Sequence, residues 1–211
     1  MDFVLLEKTI NKAKPRIVRY FDILGGKEAN DSISLGTKGI NRVGSNRFLQ
    51  AEFYSWFKKS LTEHIIAIEF KPFDELDKLV SDVQRSSDEI IDLALFNSFD
   101  SLKQLPPIAE VWIDLKKANG LENIRKKFSD DFFKLYDFAK IFNEKEIRLP
   151  SIILIMIFLE NKNELFSPEL RLINFLEPEI RNNTPPWFTD RFYECILWRE
   201  KREWRIIKSF E

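Results

Sequence analysis

Residues 152–159 read IILIMIFL, eight apolar side chains without a polar break. A half-exposed strand alternates and an amphipathic helix repeats every three to four residues. A run with neither period belongs to an element covered on all sides. Eight residues also fall far short of the ~20 that a membrane-spanning helix needs. Residues 149–159 are therefore read as a buried strand, which requires partner strands beside it and helices packed on them.

The remaining segments supply those partners. Apolar positions at Phe3, Leu6, Ile10, Ile17, Phe21 and Leu24 predict a helix over 3–23, kinked or divided at Pro15. Residues 25–46 hold five of the six glycines and read as a loop. A helix over 47–62, a strand over 64–70, a short polar helix over 73–84 and a strand over 89–96 follow. After Pro106-Pro107 come a strand over 108–115, a long helix over 121–143 and the buried strand. A helix beginning at Ser167-Pro168-Glu169 and two strands, over 192–198 and 203–210, complete the chain. Helices separate the strands at only some steps, which predicts an α/β fold: a mixed central β-sheet flanked by helices. Residues 1–46 form a helical N-terminal extension with the Gly-rich loop. Residues 47–211 form the α/β domain, with its C-terminal helix and hairpin.

Composition narrows the chemistry. The 33 basic and 34 acidic residues nearly cancel, so no global positive field steers the chain onto nucleic acid, and such contact must be local. The single cysteine, Cys195, excludes an intrachain disulfide and argues against a cysteine zinc site. The single histidine, His64, removes mechanisms built on a histidine pair, and no serine lies in a nucleophile-elbow context. The N-terminus lacks the pattern of a signal peptide, so a reduced, cytoplasmic protein with no membrane partner is expected.

Three carboxylates stand where the local pattern calls for apolar side chains. Asp92 lies mid-strand in EIIDLALF, although Asp is a poor strand former and is rarely buried unpaired. Asp114 closes the strand of PIAEVWIDLKK. There Glu110, Trp112, Asp114 and Lys116 share one face. Glu52 lies one turn from Phe48 and Trp56 on the 47–62 helix, on or beside its core-facing side. Buried carboxylates near one another need a compensating cation. Mg²⁺ suits such a site because it takes one or two carboxylates, keeps waters and accepts oxygen ligands only. A lysine two residues beyond the second carboxylate would hold or deprotonate a water and neutralise charge on a phosphate.

Asp92 on one strand, followed by Asp114-Leu115-Lys116 closing the next, resembles the signature of the PD-(D/E)XK nucleases over about residues 47–160. Asp92 follows Ile91 where the signature has proline, and the 22 residues from Asp92 to Asp114 imply an excursion over 97–107. The resemblance implies a mixed sheet with Asp92, Asp114 and Lys116 as catalytic residues. It further implies Asp92 and Asp114 as Mg²⁺ ligands, with Glu52 from the preceding helix as a third. The implied activity is Mg²⁺-dependent endonucleolytic hydrolysis of DNA. A restriction or host-defence nuclease, working as a homodimer or in a larger defence complex, would perform it. Glu69 and Glu110 are substitute third ligands.

Plainer readings stand beside these. Asp114 and Lys116 also fit a strand-end salt bridge, which leaves Asp92 unexplained. Glu52 faces solvent if its helix is rotated by one residue. Cys195 reads as a core residue and His64 as a surface or edge residue. The basic and aromatic residues of CILWREKREWRII fit either a DNA-contacting hairpin or a salt-bridged turn. The same fold would also serve a catalytically silent DNA-binding or structural subunit.

Overall fold

The structure, a computed structural model, describes residues 3–24, 45–72, 90–104, 106–118, 121–158, 183–198 and 206–208. Six strands form one sheet in chain order: β1 (Ile65–Phe70), β2 (Ile91–Phe96), β3 (Val111–Ala118), β4 (Ser151–Phe158), β5 (Phe192–Trp198) and β6 (Ile206–Lys208). β1, β2 and β3 are successively antiparallel, β4 and β5 run parallel to β3, and β6 is antiparallel to β5. The change of direction follows from the connections. Parallel neighbours need a crossover long enough to return the chain, and a 24-residue helix lies between β3 and β4.

Among the described residues the helices are α1 (Phe3–Leu24), α2 (Ser45–Ser60), α3 (Phe99–Lys103) and α4 (Leu121–Glu144), with a single turn at Pro186–Thr189. They cover the sheet from both sides. Leu6, Ile10, Ala13 and Ile17 of α1 and Leu49, Phe53 and Phe57 of α2 pack on Leu93, Leu95, Val111, Ile113, Leu115, Ile153, Ile155, Ile157 and Cys195. Phe128, Phe132, Leu135, Phe138 and Phe142 of α4 pack on the opposite face, against Ala94, Phe96, Trp112, Ile152, Leu154, Met156 and Phe192. Successive residues of β4 alternate between the two cores, which is why the run in β4 carries no polar side chain. The expected α/β class, a mixed sheet with flanking helices, is what the chain adopts.

Several boundaries differ from expectation. α1 continues through Pro15, whose ring lies on the exposed side. The 97–107 excursion contains α3, capped by the Ser98 hydroxyl, which accepts from the Ser101 amide at 3.1 Å. β3 begins three residues later than expected and ends three later. Ile108 donates its amide to the Ser101 carbonyl at 2.9 Å instead of joining the ladder. At the other end Lys116, Lys117 and Ala118 pair with Met156, Ile157 and Phe158. Asp114 and Lys116 thus lie within a strand supported by β4, not at a free end. Of the expected loop over 25–46, residues 45 and 46 open α2 instead, and the rest of it, the helix over 73–84 and the helix beginning at residue 167 lie outside the described residues. So does most of the last strand's surroundings. No helix among the described residues is long and apolar enough to cross a membrane.

Candidate active site

β2 and β3 pair from Leu95↔Val111 to Leu93↔Ile113, and the next residue on each strand is a carboxylate, Asp92 or Asp114. There a side chain enters the ladder. The Leu115 amide donates to Asp92 Oδ2 at 2.7 Å. From α2, Gln50 Nε2 donates to Asp92 Oδ1 at 2.5 Å. Both oxygens of Asp92 are thereby aimed by donors on different elements. On the far side of β2, Glu69 falls between the pairs Ile68↔Leu93 and Phe70↔Ile91, in register with Asp92. Its φ of 53° is left-handed, a conformation costing a non-glycine residue about 1–2 kcal/mol. The chain is therefore strained beside this carboxylate.

Asp114 is only 1% exposed and projects toward α4. Lys134 Nζ of α4 donates to its Oδ2 at 2.7 Å, and Lys116 Nζ lies 3.7 Å from the same oxygen. Its Oδ1 is buried and has no N–H donor, and the Asp92 and Asp114 carboxyls share a side-chain hydrogen bond that raises the pKa of Asp92 and lowers that of Asp114. Asp131, one turn before Lys134, takes Lys116 Nζ at 3.1 Å and Lys134 Nζ at 3.9 Å on Oδ1, while its buried Oδ2 also lacks a donor. Lys134 donates in addition to the Ile90 carbonyl at 3.3 Å. Three carboxylates and two ammonium groups from β2, β3 and α4 thus form one buried network, with Gln50 contributed by α2.

Crowding sets the proton affinities. Burial, and then the charge of Asp114, pushes the Asp92 carboxyl up to about 7, against the lowering effect of Leu115 and Gln50. Burial, and then Asp114, raises Asp131 to about 6, opposed by Lys116 and Lys134. Burial would raise Asp114 too, but Lys134 and Lys116 outweigh it and hold this carboxyl below its usual value. Lys116 is disfavoured as a cation by burial, yet Asp114 and Asp131 more than reverse that and hold its pKa above the ordinary lysine value.

The structure brings Asp92, Asp114 and Lys116 together as their spacing suggested. It does not bring Glu52 to them. The Glu52 carboxylate accepts from Trp56 Nε1 at 2.8 Å and pairs with Arg16 of α1 at 3.2 Å. Gln50 and Glu52 lie about 200° apart around α2, so only one of them reaches Asp92. The helical phase decides the matter: Glu52 is buried, but against α1. Glu69 is exposed on β1, and Glu110 lies 3.3 Å from His64 Nε2 ahead of β3. Cys195 is buried in the core as expected.

Three members of the network were not legible as site residues. Gln50 has no pattern that marks it, since glutamine is ordinary on a helix flank. Asp131 did leave a signal, because it stands in the apolar row Phe128, Asp131, Leu135, Phe138, where a hydrophobic side chain is expected. Lys134 follows it by one turn.

Among the described residues no group of three or more His, Cys, Asp or Glu side chains is arranged to hold a metal ion. A cation here would rest on two carboxylates, Asp92 and Asp114, and that set fits Mg²⁺. The donors are hard oxygens, two carboxylates suffice for an ion that keeps its waters, and Asp114 Oδ1 is a buried oxygen with no N–H donor on it. A separate cleft of about 410 Å³, lined by Asn143, Ser151, Trp187, Asp190, Arg191 and Tyr193, opens where β4 and β5 begin, away from this network. No family model, curated protein or solved structure matches the chain.

Proposed function

We propose that the chain is a Mg²⁺-dependent nuclease of the PD-(D/E)XK type that hydrolyses phosphodiester bonds in DNA. The observation that carries this reading is the meeting of Asp92 and Asp114 where β2 and β3 stop pairing. The Leu115 amide is on Asp92 and Lys116 is two residues beyond Asp114. The order α2, three antiparallel strands, α4 and a parallel β4 supports it, because the resemblance asks for Asp and Asp-X-Lys on adjacent strands of a mixed sheet. Among the activities the resemblance implies, a restriction or host-defence endonuclease is the specific assignment we favour.

Asp92 and Asp114 would hold the cation, which when bound supplies Lewis-acid polarisation of a phosphoryl oxygen. Everything else falls to the chain's own groups. Gln50 and the Leu115 amide fix the Asp92 carboxylate, so binding a cation costs little reorientation. Lys116 stays protonated through the neutral range, because Asp114 and Asp131 face it. It therefore acts as a donor and a positive charge, orienting a water and stabilising charge that grows on the phosphate.

A second reading has its own observation. Asp114 is almost wholly buried and both lysines already lean on it or on Asp131, which is also what a structural network in a silent DNA-binding subunit would look like. Cleavage of plasmid and phage DNA with Mg²⁺ by the wild type, Asp114→Asn and Lys116→Met separates the two. The nuclease reading expects cutting by the wild type and losses of ~100-fold or more in each folded variant. A wild type that cuts neither DNA nor RNA with Mg²⁺ or Mn²⁺ supports the silent subunit. Cutting that survives both substitutions means the chemistry lies elsewhere.

A further inference from the structure

We infer that Lys134 is a tethered cation of this site: its ammonium holds the Asp114 Oδ2 and Asp131 side of the network, so that the site takes one divalent cation and not a pair. The inference rests on reading Asp92 and Asp114 as cation ligands. Lys134 Nζ faces three oxygens from three places, Asp114 Oδ2 at 2.7 Å, the Ile90 carbonyl at 3.3 Å and Asp131 Oδ1 at 3.9 Å. That is an oxygen-lined position of the kind a second metal ion would use, filled by an ammonium with three donors. The Asp114 oxygen that Lys134 does not hold is Oδ1, which is buried and has no N–H donor.

Lys116 does not play the same part. Its closest partner is Asp131 at 3.1 Å, and it stands a full ångström farther from Asp114 than Lys134 does.

The test counts ions, with no need for turnover. Mn²⁺ is titrated into the full chain and the free ion is followed by electron paramagnetic resonance. The wild type is expected to take one Mn²⁺ per chain. Lys134→Met, which keeps the length and removes the charge, is expected to take two, with the broadened signal of a close Mn²⁺ pair. Lys116→Met removes the same charge and is expected to stay at one. Lys134→Gln, whose amide can still donate to Asp114, stands in if the methionine variant does not fold. Two ions in the wild type, or one ion in both folded Lys134 variants, would overturn the inference and leave the nuclease reading intact. No ion bound by the folded wild type would overturn the nuclease reading, and the inference with it.

Discussion

Asp92 and Asp131 carry folded-state pKa values of about 7 and about 6, well above the ~3.9 of an unfolded aspartate. Between about pH 4 and 7 the folded chain therefore binds more protons than the unfolded chain. Stability is highest at the low end of that window and falls as the pH rises through it. Asp114 works the other way. Its lowered pKa supplies stability above the unfolded value that is lost as the pH falls through the folded one. In chelator the melting temperature should thus peak near about pH 4–5 and drop toward pH 8, where excess Mg²⁺ should restore it. Asp92→Asn removes the charge and keeps the shape, since a turned Gln50 amide can accept from the new amide. The variant should gain ~2–4 kcal/mol at pH 8 and lose much of the slope. Melting curves of both proteins from pH 4 to 8 check this; an unchanged slope in Asp92→Asn would remove Asp92 as its source. At this scale the sequence was informative wherever a polar side chain broke an apolar period, as at Asp92 and Asp114. It was silent wherever the polar residue was at home, as at Gln50.

α4 does two jobs with one surface. Its row of Phe128, Phe132, Leu135, Phe138 and Phe142 anchors it to the sheet, with Trp112 meeting Phe142 and Phe138 edge-on at ring distances of 5.1 and 6.3 Å. Asp131 and Lys134 ride on the same face. Phe138→Ala should cost ~3–5 kcal/mol by denaturant unfolding, and should shift cation affinity in the same direction as Lys134→Met, because the cavity loosens the helix that carries Lys134. A full stability loss with unchanged affinity would separate the two jobs. α1 shows a different asymmetry. Its buried stripe is Leu6, Ile10, Ala13 and Ile17; Lys8, Lys12 and Arg19 are exposed on the opposite side, and Arg16 is exposed on the flank that meets Glu52 of α2. Under the nuclease reading, a near-neutral chain must meet phosphates through a local basic surface, and this stripe is one to test. Arg16 is already paired with Glu52, so Lys8, Lys12 and Arg19 are the ones to neutralise to glutamine. The logarithmic salt slope of duplex DNA binding, measured in chelator, should then fall by about 2–3, at ~0.9 per lost phosphate contact. An unaltered slope would leave the stripe as solvated surface.

At the scale of the molecule, periodicity revealed the mixed sheet and the long helix between β3 and β4, because both depend on patterns that repeat over many residues. It misplaced β3 by three residues, because partnership with β4 extends that strand across Lys116 and Lys117 whatever their polarity, while a contact to α3 withholds Ile108. It could not say which side of α2 meets α1, and that rotation decides whether Gln50 or Glu52 touches the site. Both failures concern contacts between elements distant in the chain, which no local pattern encodes. The same long-range construction governs when the network first exists. Its members are numbered 50, 92, 114, 116, 131 and 134, and the last two lie on the crossover helix. A chain still being made on a ribosome has no assembled cluster until α4 has emerged and folded back over the sheet. Any shorter fragment, whether nascent or left by a protease, lacks the complete set. Whatever the cluster does, it is done only by molecules in which α4 has been made and has folded back over the sheet.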